Sequence, residues 1–357
     1  MKKRVLHVIN SLTTGGAEIL LANSLSAGGL QEHTDNYLVY FAKTSGLQNI
    51  VDINVKIICL HYKGGADIFR LLRQLRRIIK DNKIEIIHSH LTPAGFYIEM
   101  VRPSSVSHVH TIHSTYSMDN ETRPFFRFLN RYFYFNKKKC NIISLSDFTR
   151  NDFLQAVPFK GKIFVLNNFV ADKYFTGDTK KYESSNQVLR IVAAGSLKEL
   201  KNFEYLLSVF SHLCNYEIYL DIYGNGDKAK YEQVIKDGNL KVRMMGHQND
   251  MAAVYSKYDL FIMPSKFEGY PLAVFEAMAS GVPLMLSNIA PLRSIVQEHA
   301  IYFDLDNAVQ TAEILLKIFN NQVDINNMAE QAKAYAQKKV KREMYIRSLL
   351  QIYQQIN

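Results

Sequence analysis

Short apolar runs alternate with amphipathic segments along the chain, and this alternation predicts repeated β–α–β units. Helices are expected at Ala17–Ser26 and Asp67–Lys80. In the second of these, leucines and isoleucines recur at helical spacing opposite a row of arginines, and Asp67 is the expected N-terminal cap. The predicted strands of the first half are Arg4–Ile9, Tyr37–Phe41, Ile84–His88, His108–Ile112, Asn141–Leu145 and Ile163–Leu166.

The second half repeats the same rhythm after an aperiodic polar stretch. Its predicted strands are Leu189–Ala194, Ile218–Tyr223, Val242–Met245, Leu260–Met263, Pro283–Leu286 and Ala300–Phe303. Only helical patterns follow Asp306, and the chain of 357 residues is too long for one hydrophobic core. We therefore expect one domain over residues 1–175, a linker over 176–188, a second domain over 189–338, and a final helix over 339–357 that packs back on the first domain.

Composition and charge narrow the class of protein. With 47% hydrophobic and 21% charged residues the chain is globular. No apolar run reaches the roughly 18–20 residues that a membrane span needs, and the three widely spaced cysteines fit a reducing compartment. Residues 1–180 hold 24 Lys+Arg against 14 Asp+Glu, whereas the rest holds 19 of each. This one-sided excess predicts that the first half faces an anionic surface.

A basic and aromatic stretch, Arg123–Lys139, lies in that positively charged half. Such a stretch is typical of a helix lying at an anionic membrane surface, which would place a cytoplasmic protein peripherally at the inner face of the plasma membrane. A core helix with a solvated basic end is the plain alternative, and stacking on nucleic acid is another.

The most specific segment runs from Pro264 to Gly281, after a predicted strand. Its loop carries Glu268, a helix is expected to begin near Pro271, and Glu276 falls in the second turn of that helix. Unpaired amides at 270–273 would attract an anion, while carboxylates suit sugar hydroxyls. The plain alternative is that Glu268 caps the helix or pairs locally and that Glu276 is a solvated helical glutamate. An anion flanked by hydroxyls describes a nucleotide sugar.

Three glycine turns follow other predicted strands. Gly195 precedes Lys198 and Lys201, whose charges would neutralise a diphosphate leaving group. Taken alone, two lysines in a polar loop could equally be ordinary solvated side chains. Paired glycines, Gly15 and Gly16, follow the first strand, but the dinucleotide fingerprint G-x-G-x-x-G is absent, which disfavours a nicotinamide dehydrogenase. The third turn has the order Tyr223-Gly224-Asn225-Gly226-Asp227 and lies where open α/β sheets bind ligands, although a plain tight turn explains it equally.

Histidines and a D-x-D motif raise the question of a metal. His88, His90, His108, His110 and His113 cluster in the first half, without a Cys, Asp or Glu at ligand spacing. His110 is expected to be structural. His113 either reaches a crevice or is a plain polar histidine at the end of a strand. Asp304-Leu305-Asp306 lies between a strand and a helix, where Asp306 suits an N-terminal cap. No metal site and no cofactor are predicted.

Taken in order, these motifs resemble the retaining GT-B glycosyltransferases of family four, the glycosyltransferase group 1 type with a Glu-x7-Glu motif. The resemblance covers nearly the whole chain. It implies an α/β architecture of two Rossmann-like domains facing across a cleft, with a C-terminal helical tail. It also implies transfer of a hexose or N-acetylhexosamine from a nucleotide diphosphate sugar, with retention and without a metal. UDP-sugar is the expected donor, and a lipid-linked or polysaccharide saccharide is the expected acceptor.

The resemblance also assigns roles to residues. Glu268 would contact donor hexose hydroxyls and Glu276 the ribose, while Lys201 matches the diphosphate-binding lysine and His113 the first-domain histidine near the reacting sugar. The family commonly has arginine where this chain has Ser196, so either Ser196 or Lys198 completes the diphosphate clamp. The catalytic set is thus His113, Lys198, Lys201 and Glu268. The remaining donor-binding residues are Gly15, Gly16, Gly195, Ser196, Tyr223, Gly224, Asn225, Gly226, Gly246, His247, Gly269, Tyr270, Pro271, Leu272 and Glu276.

Two other functions stay open at this stage. A nucleotide-sugar epimerase of the same fold would release nucleotide without an acceptor. A nucleic-acid-binding protein using the basic half would lose binding steeply with salt. The expected partners are the nucleotide sugar, a saccharide acceptor and an anionic membrane surface, with no nucleic acid. Arg293 has no assigned role.

Overall fold

The computed structural model describes residues 2–13, 15–42, 46–115, 140–157, 159–177, 182 and 188–356. The chain divides into two compact units, and the first comprises Met1–Phe169 together with Arg342–Asn357. The second unit is Val170–Lys341. The basic and aromatic stretch 123–139 and most of the expected linker 176–188 lie outside the described residues.

The first unit is built on one sheet, in which every described strand runs parallel to its neighbours. Its strand order is β3-β2-β1-β4-β5-β6-β7. The strands are β1 (Lys3–Ile9), β2 (Thr34–Tyr40), β3 (Lys56–Cys59), β4 (Ile86–His90), β5 (Ser107–Ile112), β6 (Asn141–Ser144) and β7 (Ile163–Val165). The chain order reverses between β1 and β4, where His7 lies opposite His88.

Helices cover both faces of this sheet, as a fully buried parallel sheet requires. They are α1 (Gly16–Ser24), α2 (Ile68–Asp81), α3 (Thr92–Val101), α4 (Asp147–Ala156) and the last helix of the chain, α12 (Arg342–Gln355). In α2, Leu71, Leu75 and Ile79 are buried, whereas the arginines turn outward. The last helix buries Tyr345, Leu349 and Tyr353 in the core that contains β1 and β4 residues. Its position follows from that apolar side.

The second unit repeats the plan with the strand order β10-β9-β8-β11-β12-β13, again all parallel among the described strands. These strands are β8 (Leu189–Ala194), β9 (Ile218–Tyr223), β10 (Val242–Gly246), β11 (Leu260–Met263), β12 (Leu284–Ser287) and β13 (Ile301–Phe303). The helices are α5 (Phe203–Phe210), α6 (Ala229–Asp237), α7 (Met251–Tyr255), α8 (Leu272–Ala279), α9 (Ala290–Val296), α10 (Ala308–Phe319) and α11 (Ile325–Lys339). The order reverses between β8 and β11. The predicted α/β class with two parallel sheets and a helical tail is confirmed.

Helix starts are where the structure departs from the sequence expectations. Asp67 does not cap α2, because its carboxylate instead binds Arg70 at 2.6 Å and accepts a hydrogen bond from the Lys63 amide. Asn307, not Asp306, caps α10 by accepting from the Gln310 amide. Strand β2 begins at Thr34, three residues before the apolar run, because Thr34 and Asn36 are buried in a hydrogen-bonded pair. A search for apolar positions therefore misses the start of this strand, where buried polar residues hydrogen-bond to each other.

Two elements of the first unit, β3 and α3, were not placed by the sequence pattern, which expected only a helix or polar loop after each strand.

Among the described residues, no helix combines the length and the apolar character that a membrane span requires.

Candidate active site

Polar side chains collect at the carboxyl ends of β8 and β11, where the order of the second sheet reverses. This switch point is where open α/β sheets bind their ligands. Lys201 follows β8, and Glu268 follows β11. The Lys201 Nζ donates to Glu268 Oε1 at 2.6 Å, and the Glu268 side chain is only 8% exposed. The structure thus joins two residues that lie far apart in sequence and that both belong to the predicted site.

Ser265 holds the Glu268 carboxylate from the other side. Its hydroxyl donates to Glu268 Oε1 at 2.5 Å, and its own carbonyl accepts from the Ser287 hydroxyl at 2.6 Å. Both serines are fully buried. Sequence reasoning missed both serines. Ser265 could have been noticed, because its hydroxyl lies three residues before Glu268 in the sequence.

In the second unit, the turns at Gly195, Gly224 and Gly246 stack across the ends of β8, β9 and β10. The Gly195 amide donates to the Tyr223 carbonyl, and the Gly224 amide donates to the Gly246 carbonyl, both at 2.9 Å. A Cβ on Gly224 would lie 1.8 Å from the Gly195 carbonyl oxygen, so only glycine fits there. Gly246 has a φ of +80°, a conformation that also favours glycine. The turns form one backbone surface beside Lys201.

Other predicted donor residues belong to the same surface through their backbones. The Asn225 carbonyl accepts from the Leu197 amide at 2.8 Å, and the Ser196 carbonyl from the Lys198 amide at the same distance. Next to them, a Cβ on Gly226 would lie 2.5 Å from the Leu197 Cβ. The Lys201 side chain runs over Gly195, with its Cε 3.3 Å from the Cβ position of that glycine. The Lys198 side chain is exposed.

Tyr223 and His247 use their side chains within the protein. The Tyr223 hydroxyl lies 3.0 Å from that of Tyr258, which in turn donates to Asp221 at 2.5 Å. His247 Nε2 lies 2.9 Å from Asn249 Oδ1. Both residues lie next to the glycine turns.

The start of α8 differs from expectation by one residue. Pro271 is the N-cap with φ −84° and ψ 78°, the geometry of an inverse γ-turn, rather than the first helical residue. The Leu272 amide therefore donates to the Tyr270 carbonyl at 3.1 Å and is not one of the unpaired amides that the sequence predicted. Gly269 and Tyr270 precede this turn, and the Tyr270 ring stacks on Phe275 at 5.2 Å.

Glu276 is not the solvated glutamate that its sequence position alone would suggest. Burial raises its pKa to about 7, while a hydrogen bond with the Tyr174 hydroxyl and the charge of Lys173 act in the opposite direction. Lys173 itself binds Asp250 Oδ1 at 2.9 Å. Tyr174 lies in the short 3-10 helix Asp172–Phe175, near the start of the second unit and far in sequence from the motif. Sequence reasoning therefore missed its hydrogen bond with Glu276.

In the first unit, Gly15 and Gly16 begin α1 and a carboxylate already lies beside them. Gly15 is the N-cap, and a Cβ on it would lie 2.4 Å from Glu18 Oε2. Glu18 is 7% exposed and accepts hydrogen bonds from Ser11 and Thr13 at 3.2 and 3.4 Å. The N-terminus of α1, which carries two of the predicted donor-binding glycines, thus already has the Glu18 carboxyl group beside it.

The histidines divide between the two faces of the first sheet. His7, His88 and His90 lie on one face with His113, and His90 Nδ1 is 3.1 Å from His113 Nε2. His88 bridges the hydroxyls of Tyr353 and Thr111, at 2.7 Å each. His110 is buried and bonds Ser89 at 2.8 Å, which agrees with a structural role.

Two groups in the described part of the chain bring possible metal ligands within 4.8 Å of one another: His7–His88–His90 and Glu99–His108–Cys140. The second group was invisible to the spacing argument, since its members come from α3, from β5 and from the residue before β6. Arg102 already pairs with Glu99, and Ser89, His108 and Glu99 form a hydrogen-bonded chain that is fully buried.

Arg293 and the D-x-D motif also have local partners. The Arg293 guanidinium donates to Asn288 Oδ1 at 2.7 Å and lies 4.0 Å above the Tyr302 ring. Asp304 accepts from the same asparagine at 2.8 Å. Arg293 therefore packs α9 against β13.

Two family descriptions match the chain and between them cover nearly all of it. "Glycosyl transferases group 1" matches residues 176–339, and "Glycosyltransferase Family 4" matches residues 3–173. A putative glycosyltransferase, EpsF, of Bacillus subtilis is 23% identical over 80% of this chain and 79% of its own length. An Escherichia coli UDP-Gal:alpha-D-GlcNAc-diphosphoundecaprenol alpha-1,3-galactosyltransferase is 25% identical over 66% and 65%.

Solved structures agree in fold. A glycosyltransferase from Rickettsia africae matches with a TM-score of 0.79 and 17% identity, over 99% of this chain and 98% of that one. Anabaena HepE in complex with UDP and glucose matches with the same TM-score and 15% identity, over 99% and 100%. Two parallel Rossmann-like sheets with these likenesses define a GT-B protein. The chain belongs to the group 1 glycosyltransferases.

Proposed function

We propose that this protein is a retaining, metal-independent glycosyltransferase of bacterial-type surface glycan synthesis. It transfers a hexose or N-acetylhexosamine from a nucleotide diphosphate sugar, with UDP-sugar as the expected donor, to a lipid-linked or polysaccharide acceptor. The observation that carries the proposal is the Lys201–Glu268 pair, which lies beside stacked glycine turns at the switch point of the second sheet.

Each group at this point suits one part of the donor. Glu268 accepts hydrogen bonds from hexose hydroxyls, and the glycine turns let the diphosphate approach the backbone. Lys201 moves from Glu268 to the diphosphate and stabilises the charge that grows as the leaving group departs. Glu276 accepts from the ribose. The names of the E. coli relative and of the HepE complex, which mention UDP-galactose and UDP, support this donor class.

Ligand-induced stabilisation tests the donor. A panel of UDP-, GDP- and ADP-sugars should produce a thermal shift for one nucleotide class, because binding stabilises by RT ln(1 + [L]/Kd). Incubation of the stabilising donor with a lipid-linked acceptor in EDTA should then release nucleotide and yield a product with the donor's anomeric configuration. An inverted product contradicts retention, and loss of turnover in EDTA contradicts metal independence.

Peripheral attachment to an anionic membrane is part of the proposal, and α2 supports it within the described residues. Phe69 is 78% exposed at the start of this helix, and Arg73, Arg76, Arg77 and Lys80 are exposed along it. Each base near an anionic surface contributes about 1 kcal/mol, and the ring adds a salt-resistant part.

Vesicle co-sedimentation tests this attachment. Binding to anionic vesicles should exceed binding to neutral ones, weaken with salt, and fall when Arg73, Arg76 and Arg77 are changed together to Gln. Exposed Lys236, Lys257 and Lys317 of the second unit, changed together to Gln, form the matched control. Equal loss in both triple variants would contradict docking through α2.

A further inference from the structure

Two hydrogen-bond donors converge on one oxygen of the Glu268 carboxylate in the second unit. Lys201 Nζ donates to Glu268 Oε1 at 2.6 Å, and the Ser265 hydroxyl donates to the same oxygen at 2.5 Å. A carboxylate oxygen has two lone pairs, so Oε1 accepts both hydrogen bonds at once. The Glu268 side chain is therefore held by two different residues, and its second oxygen, Oε2, keeps lone pairs of its own.

The two donors differ in their freedom to leave Glu268. The Lys201 side chain is 22% exposed, and its four-carbon stem lets the ammonium turn to another anion without a movement of the backbone. Ser265 is fully buried, and its hydroxyl is attached directly to Cβ. A bound anion can thus withdraw Lys201 from Glu268, whereas Ser265 stays in place.

The backbone around Ser265 is fixed from two directions. The hydroxyl of Ser287, the last residue of β12, donates to the Ser265 carbonyl at 2.6 Å, and Ser287 is also fully buried. The Lys266 amide donates to the Leu200 carbonyl at 2.9 Å, which joins this loop to the one that carries Lys201. Hydrogen bonds away from water are strong, and loss of one leaves a buried polar group unpaired. Ser265 is thus built into the carboxyl end of the sheet.

We propose that Ser265 is a positioning residue, which Ser287 holds in place and which keeps the Glu268 carboxylate oriented when Lys201 has turned to the diphosphate. Oε1 then stays bonded to Ser265, while Oε2 accepts hydroxyls of the hexose. The hexose part of this inference rests on the proposed function, whereas the orientation of Glu268 by Ser265 does not. Ser265 therefore serves recognition of the hexose and not recognition of the nucleotide diphosphate.

Removal of the Lys201 ammonium imitates its departure and tests the orientation of Glu268 without any substrate. Crystal structures of the full-length Lys201→Ala and Lys201→Ala/Ser265→Ala variants provide the comparison. We expect the Glu268 carboxylate to keep its place and its hydrogen bond with Ser265 in the first variant, and to leave that place in the second. A Glu268 side chain that turns away in Lys201→Ala, or that stays in the double variant, overturns the proposal, whatever the enzyme transfers.

Binding affinities separate recognition of the hexose from a general loosening of the site. Calorimetry on the full-length protein compares UDP with UDP-glucose, UDP-galactose and the N-acetylhexosamine counterparts of both sugars. For the UDP-sugar that the native protein binds most tightly, we expect the Kd to rise at least about fivefold in Ser265→Ala and by a smaller factor in Ser287→Ala. The Kd of UDP should stay within about twofold, because no part of the nucleotide contacts Glu268 in the proposal. Equal weakening of UDP and the UDP-sugar, or an unchanged Kd for both, overturns the proposal.

Ser280→Ala is the matched control for these variants. Ser280 is also buried in the second unit, and its hydroxyl has no hydrogen-bond partner in the described part of the chain, so its removal should leave both Kd values unchanged. Ser265→Cys keeps nearly the same size with a weaker donor and should raise the Kd of the UDP-sugar in the same direction, so the test does not depend on the folding of Ser265→Ala alone. Native protein that binds neither UDP nor any of these UDP-sugars, with Glu268 placed as expected in Lys201→Ala, would instead contradict the donor of the proposed function.

Discussion

At the scale of single residues, the second unit treats its two motif glutamates differently. Glu268 accepts hydrogen bonds from Lys201 and Ser265, so both of its neighbours stabilise a carboxylate. Glu276 lies beside Tyr174, and desolvation raises its pKa to about 7. Glu268 is thus held by two hydrogen-bond donors, whereas Glu276 changes its protonation near neutrality.

The donor KM should therefore depend on pH through Glu276. Below pH 7 its carboxyl group is increasingly protonated and accepts ribose hydroxyls less well, so we expect the donor KM to rise as pH falls from 8 to 6. Glu276→Gln should remove this dependence. Glu276→Ala should raise the donor KM more than it lowers kcat, by about 1–3 kcal/mol. Exposed Glu313, changed to Gln, is the control, and an unchanged KM in Glu276→Ala would exclude that residue from the site.

Removal of the Lys201 ammonium should mainly slow the chemical step. Charge on the departing diphosphate appears only as the bond breaks, so Lys201→Ala should lower kcat by roughly 10²–10³-fold with a smaller change in donor KM. Lys266, on the neighbouring loop and half exposed, offers a matched control. Similar steady-state kinetics for Lys201→Ala and Lys266→Ala would contradict the proposed diphosphate contact.

The sequence predicted these residues better than their supports. Glu268, Glu276 and Lys201 could be singled out as candidates because their charged side chains follow strand ends and lie beside glycines in the sequence. Ser265 and Tyr174 could not, because a serine or tyrosine becomes a partner only when the fold brings it to an acceptor.

At the scale of elements, the strands of the second unit were predicted almost to the residue, since buried parallel strands are short apolar runs with polar ends. The first unit was less readable. Strand β2 begins with buried polar residues, and the α2 N-terminus exchanges a capping bond for an ion pair between Asp67 and Arg70. Local partners decide such ends, and a pattern of apolar positions carries no information about them.

The stacked glycine turns predict a sharp difference between two glycine substitutions. Gly224→Ala forces a methyl group to within 1.8 Å of the Gly195 carbonyl oxygen, so both turns must separate. We expect the free energy of unfolding of the Gly224→Ala variant to fall by at least about 1–3 kcal/mol, so that it melts at a lower temperature. The variant should also lose the donor-induced thermal shift. A Cβ on Gly177 meets open space, so Gly177→Ala should keep both its melting temperature and the donor-induced thermal shift. Thermal melts with and without donor measure both, and equal melting of the two variants would show that the turns do not depend on that contact.

At the scale of the whole molecule, the two units should respond to acid in opposite directions. Burial lowers the pKa of His7 and His113 to about 4 and that of His110 to about 3. Between pH 6.5 and 4 the unfolded chain binds more protons at these sites than the folded first unit does. The free energy of unfolding of that unit therefore falls as pH falls through this window, by up to about 1.4 kcal/mol per pH unit for each histidine. Glu276 acts the other way in the second unit, because its folded pKa is raised.

Hydrogen exchange read by mass spectrometry resolves the units. Once corrected for intrinsic rates, protection of β1 and β4 should drop between pH 7.5 and 5, whereas protection of β8 and β11 should not. His212→Gln, at an exposed position, should leave the difference unchanged. Uniform loss of protection in both sheets would refute a histidine origin.

The hydrogen bond between Tyr353 and His88 joins residues 265 positions apart, and this has a consequence for biosynthesis. Domains generally fold as units during synthesis, and the N-terminal domain folds first. Here the second unit is one continuous stretch and completes first. The first unit has its sheet early but waits for the last helix to cover the face that carries His7, His88 and His90. Until α12 has been synthesised, that face lacks its cover, so the first unit completes its core after the second unit does.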